Sequence, residues 1–82
     1  PRLLMTAIRI PDDLWDTDDT PEGAIGNWLY DDGETVSEGT TVVTVMAGKT
    51  EYDVPAPASG TLHIDAAADA AVTPGTVIGR VE

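Results

Sequence analysis

Apolar and polar residues alternate along Val43-Thr44-Val45 and again along Tyr52-Asp53-Val54, in mirror fashion about a Gly48-Lys49 pair. A period of two marks half-buried strands. With Gly48 and Lys49 at the centre of a hairpin, the cross-strand pairs are Ala47–Thr50, Met46–Glu51, Val45–Tyr52, Thr44–Asp53 and Val43–Val54. Val43, Val45, Tyr52 and Val54 then share one face, and Thr44, Met46, Glu51 and Asp53 share the other. A one-residue slip would turn the apolar set to water, so the register is well specified. Gly at the first central position predicts a type II′ turn, which needs φ > 0 there.

The rest of the chain reads as further short strands between Gly, Pro and Asp punctuation. They are expected at Leu3–Ile10, Ala24–Tyr30, a short piece near Val36, Thr40–Met46, Thr50–Val54, Thr61–Ile64 and Thr76–Val81. Residues 11–23 form an irregular loop, Asp31-Asp32-Gly33 and Glu38-Gly39 read as tight turns, and the alanine-rich stretch Asp65–Ala71 is too short for a stable helix and reads as a turn. Pro55 and Pro57 suit a strand-ending crossover, where no ladder N–H is required. This pattern predicts an all-β sandwich or barrel.

The pattern also repeats. Val36-x-x-Gly39-x-x-Val42-x-x-Val45 recurs as Val72-x-x-Gly75-x-x-Ile78-x-x-Val81, and Gly23-Ala24-Ile25 recurs as Gly60-Thr61-Leu62. Two copies do not make a solenoid. Two like halves packed face to face, with approximate twofold symmetry, are expected instead.

Composition narrows the picture. The 82 residues carry no cysteine and no Phe, so one small core must come from Val, Ile, Leu and Ala with Trp15, Trp28, Tyr30 and Tyr52. The formal net charge of −11 excludes the basic surfaces that nucleic acids and anionic membranes recruit. No apolar run approaches the ~20 residues of a membrane helix, and no signal pattern opens the chain, so a cytoplasmic location is expected. The chain begins at Pro1 rather than Met, which implies processing or excision, with residues 1–4 non-native or disordered. Against this acidic background Lys49 is the only lysine. A single amine held out on a stiff turn has the character of an attachment point.

Other motifs fail on chemistry. Gly48-Lys49-Thr50 lacks the earlier Gly of a phosphate-binding loop, since Val43 stands there, and no helix follows. Counted from Asp16 as a calcium loop, the sixth and twelfth positions hold Pro21 and Asn27. His63 has no second histidine or cysteine with which to bind a metal. No Ser, His and Asp sit on a nucleophile turn. Trp28 reads as partly buried packing.

Four stretches resemble the biotinyl/lipoyl attachment domain family, over about residues 6–82: Glu22-Gly23-Ala24-Ile25-Gly26-Asn27-Trp28-Leu29, Asp32-Gly33-Glu34-Thr35-Val36-Ser37-Glu38-Gly39, Gly48-Lys49-Thr50, and Pro55-Ala56-Pro57-Ala58-Ser59-Gly60. Biotin carriers commonly flank the lysine with Met on both sides, whereas the nearest here is Met46. Acyltransferase lipoyl domains commonly have Asp before the lysine and a small apolar residue after it, where this chain has Gly48 and Thr50. Pro55 and the absence of Met neighbours favour the lipoyl branch.

The resemblance implies a single domain over residues 1–82, a flattened barrel-sandwich of two similar four-stranded antiparallel sheets. It implies lipoate joined covalently to Lys49, with Gly48 and Thr50 shaping the turn that presents it. The tethered group would carry acyl groups and electrons among the sites of a 2-oxo acid dehydrogenase complex. The implied partners are the 2-oxo acid decarboxylase, the acyltransferase with its coenzyme A, dihydrolipoamide dehydrogenase and a lipoate ligase. The domain itself would be monomeric and supply no catalytic residue, as an excised piece of an acyltransferase or a stand-alone carrier. In the family the first long loop adjoins the lysine and contributes to partner recognition. Asp16, Asp18 and Asp19 are the corresponding candidates here. Trp15 reads first as an anchor packed on the barrel and second as a member of that recognition surface. The alternatives are a biotin carboxyl carrier and an unmodified interaction module.

Overall fold

The computed structural model describes residues 5–82, so the expected disorder of residues 1–4 and the expected strand residues Leu3 and Leu4 lie outside the described residues. Eight strands follow in order: β1 Thr6–Arg9, β2 Gly23–Trp28, β3 Thr35–Val36, β4 Thr41–Ala47, β5 Thr50–Pro55, β6 Gly60–Ile64, β7 Ala71–Val72 and β8 Val77–Val81. One antiparallel sheet has the order β1-β8-β6-β3 and the other β5-β4-β2-β7. Adding four to each strand number of the first sheet, and wrapping at eight, gives the second. The twofold relation expected from the sequence repeat is therefore the organising symmetry of the fold.

The repeat places equivalent side chains in equivalent burial. Val36 and Val72, Val42 and Ile78, Val45 and Val81, and Ile25 and Leu62 are all buried in the shared core. Ile8, Ile10, Val43 and Val54 complete its centre. Each such aliphatic side chain contributes about 1.5–3 kcal/mol by leaving water.

The seven strands read from the pattern become eight, the number in the two four-stranded sheets that the resemblance implies. Ala71, taken with the preceding turn, instead opens β7, whose two residues pair with Gly23 and Ala24 of β2. β7 is the repeat of β3 and equally short, and a two-residue strand leaves no alternation to detect. β2 stops at Trp28 rather than Tyr30, although the Leu29 N–H still donates to the Val42 carbonyl at 2.8 Å. Trp28 is half-buried as expected, and its Nε1 donates to the Ala66 carbonyl at 2.8 Å, tying the alanine-rich turn to the sandwich.

Thr44 departs from the expected outward face. It is buried because β2 carries a bulge at Gly26, which brings Asn27 over the Thr44 hydroxyl. The Asn27 N–H donates to Thr44 Oγ1 at 3.1 Å. A Cβ on Gly26 would lie 2.9 Å from that oxygen, so the close approach requires glycine.

Candidate functional site

The β4–β5 hairpin has the register expected from its alternation, from Val43 opposite Val54 to Ala47 opposite Thr50. Val43, Val45 and Val54 are buried, Tyr52 is half-buried, and Met46, Glu51 and Asp53 face water. The hairpin is thus welded to the core along one face up to Ala47, which is 5 % exposed. Beyond Ala47 only Gly48 and Lys49 remain. Gly48 has φ +64°, while Lys49 does not adopt positive φ. Positive φ at the first central residue alone is the mark of type II′.

Lys49 is exposed at this apex. Among the described residues Arg80 pairs with Asp65 at 2.6 Å and His63 Nε2 meets a Glu82 carboxylate oxygen at 2.8 Å, and neither contact involves Lys49. The Arg9 guanidinium donates to the Gly75 carbonyl. An amine without an ion-pair partner, on a turn held by a buried strand pair, can be reached by a modifying enzyme without breaking any contact of the fold. Gly48 and Thr50 flank it as expected and are themselves exposed.

The acidic loop comes to the same end of the molecule. Thr20 abuts the lysine turn: a Cβ on Gly48 would sit 3.3 Å from Thr20 Oγ1. Asp16 builds the loop, since its Oδ1 accepts the Asp18 N–H at 2.9 Å and its carbonyl accepts from Asp19 and Thr20 at 3.2 and 2.9 Å. That is a side-chain turn of the kind Asp favours. Asp16, Asp18 and Asp19 all expose their carboxylates.

Trp15 is 8 % exposed, and its Nε1 donates to the Thr20 carbonyl at 2.9 Å. Its rings stack on Tyr52, with centroids 5.9 Å apart and planes inclined by 30°. Trp15 is therefore the anchor of the loop, the first of its two readings. A buried indole offers no surface to a partner, and any part it takes in recognition runs through the loop it holds. Tyr52 and Thr20 were not singled out by the sequence as parts of the site. Tyr52 was legible as a hairpin pair of Val45 and a core aromatic, and Thr20 lies in a segment without periodicity.

A family model described as biotin-requiring enzyme, which covers biotin and lipoyl attachment domains, matches residues 17–81. The chain belongs to the biotin/lipoyl attachment family, and its two-sheet fold is that of a carrier-type attachment domain. No curated protein gave a significant match.

Proposed function

We propose that this domain is a lipoyl carrier, modified on Lys49 and serving a 2-oxo acid dehydrogenase complex. The observation that carries the reading is the sole lysine of the chain standing exposed at the apex of a type II′ turn on a core-anchored hairpin. The site fits a covalently held group: Lys49 has open surroundings, no ion pair among the described residues, and a rigid base. Attachment needs the neutral amine, whose lone pair attacks a carboxyl carbon activated by the ligase. The activating group departs with its bonding pair, Nζ gives up a proton, and the amide no longer carries charge. A lipoyl group, once bound, supplies a dithiolane able to accept an acyl group and electrons. The protein contributes a fixed anchor and a high effective concentration at each partner.

Lipoate is favoured over biotin by the residues around the lysine. Gly48 and Thr50 flank it, and the nearest methionine, Met46, faces water three residues earlier. Pro55 ends β5 as in the lipoyl branch. The partners that follow are a cytoplasmic decarboxylase, acyltransferase, dihydrolipoamide dehydrogenase and lipoate ligase. Asp16, Asp18 and Asp19 would form the recognition surface beside the lysine, steering the domain toward basic rims. Intact mass after co-expression with a lipoate ligase or with a biotin ligase tests the reading. A lipoyl adduct alone is expected. A biotin adduct alone would establish the biotin carrier, and an unmodified mass in both would establish an interaction module.

A further inference from the structure

We infer that Trp15 is the positioning residue that couples the acidic loop to the lysine turn, so that a partner docking on the loop finds Lys49 in one place. This rests on Lys49 being the attachment site. Three contacts carry it. The Trp15 rings stack on Tyr52 of β5, three residues past the lysine. Trp15 Nε1 fixes the Thr20 carbonyl, while the Thr20 N–H is held by the Asp16 carbonyl, so this residue is tied at both ends of its backbone. Its side chain in turn borders the lysine turn, where a Cβ added to Gly48 would stand 3.3 Å from Thr20 Oγ1. The path Tyr52–Trp15–Thr20–Gly48 closes a ring that contains the lysine turn.

The ring has a physical task. Residues 12–22 hold Asp12, Asp13, Asp16, Asp18, Asp19 and Glu22 without a positive charge, and Glu51 and Asp53 face water on the adjoining strand. Like charges at this density repel one another and work against close packing of the loop. Apolar contact counteracts it: the indole edge lies under Gly23, where an added Cβ would stand 3.1 Å from Trp15. One buried aromatic side chain thus holds a repelled loop against the turn whose lysine it accompanies.

If only a fraction of molecules holds loop and turn together, the apparent affinity of a partner that reads both falls by that fraction, while turnover once bound is unchanged. The test uses wild type, Trp15→Phe, Trp15→Ala and Val36→Ala. The last is a core truncation in β3, on the sheet without the hairpin. Saturation kinetics of attachment by lipoate ligase and amide hydrogen exchange are measured on each. Trp15→Ala should raise KM for the domain about fivefold or more at nearly constant kcat, as a fall to about one-fifth competent population requires. Trp15→Phe, which keeps the ring but loses the N–H, should fall between it and wild type. Exchange at Asp18–Glu22 and at Gly48–Thr50 should rise together in the Trp15 variants and not in Val36→Ala. An equal rise in KM in Val36→Ala, or a freed loop beside an unchanged turn, would overturn the inference. If wild type gains no adduct, the attachment reading fails by itself, and the paired exchange still decides the coupling. Should Trp15→Ala not fold, Trp15→Phe decides on the same two readouts.

Discussion

The first half of the chain, β1–β4, and the second, β5–β8, share their turns down to single hydrogen bonds. Gly39 and Gly75 follow β3 and β7 with φ +88° and +90°. The Gly39 N–H donates to Ala56, just past β5, and the Gly75 N–H donates to Ile10, just past β1. Ala56 and Ile10 donate back to Thr40 and Thr76. Apart from the bulge in β2, the halves part company most in one connection. Residues 56–59 link β5 to β6 with Ala-Pro-Ala-Ser and no charge, whereas residues 10–22 link β1 to β2 with six carboxylates. The common part is what two sheets need to bury one core. The part without a counterpart lies against the lysine turn, which itself has no repeat. Where symmetry ends, the core still explains Ile10 and Trp15, but it does not explain the six carboxylates.

The largest effect separates the two kinds of region. Lys49→Arg keeps a cation at the turn but removes the amine that forms the amide. It should abolish attachment completely, with an unchanged β-sheet spectrum. Persistent adduct in this variant would remove Lys49 from the site.

The symmetric region should behave symmetrically. Ile25→Ala and Leu62→Ala delete equivalent buried side chains, at 1 % and 0 % exposure. Each should cost about 2–5 kcal/mol in denaturant unfolding, and the two losses should agree within about 1 kcal/mol. A gap several times larger would mean that the halves share topology but not packing.

This equivalence was legible in the sequence. A spacing of Val, Gly, Val and Val repeated at fixed intervals fixes both the turns and the inward positions, and alternation about Gly48-Lys49 fixes the hairpin register. Thr44 was misplaced because a bulge is invisible to a period of two, and Gly26 gave its only hint. β7 escaped because a strand of two residues is defined by its partner. The approach of the loop to the lysine turn was legible as a family expectation alone. Trp15 meets Tyr52 across a long separation in sequence, and no local preference encodes such a meeting.

The asymmetric loop should act on association more than on folding. Replacing Asp16, Asp18 and Asp19 by Asn removes three charges, while the side-chain amide introduced at position 16 retains an Oδ1 to accept the Asp18→Asn backbone N–H. Stability should be unchanged or slightly higher. Reductive acylation by a 2-oxo acid decarboxylase that accepts the domain should slow several-fold at low salt, and wild type should approach the variant as ionic strength rises. Identical rates at low salt would leave the loop as plain solvated surface.

The smallest effect tests the symmetry where it is broken by one residue. Gly33 has φ +93° and donates its N–H to Leu62; its counterpart Asp69 has φ +70° and donates to Ile25. The backbone task is the same, yet one half performs it with a residue that has a Cβ. Left-handed backbone costs an L-residue roughly 1–2 kcal/mol, with Asp at the tolerant end. At Gly33 an added Cβ would meet nothing within 4 Å, so Gly33→Ala isolates the dihedral cost and should lose about 1 kcal/mol. Asp69→Gly relieves the same strain but gives the unfolded chain more freedom, and should gain about 0.5 kcal/mol or less. Denaturant midpoints in moderate salt, where the lost Asp69 charge is screened, read both changes. Opposite signs are expected. A loss in both variants would show that the Asp69 side chain holds its turn by a contact of its own.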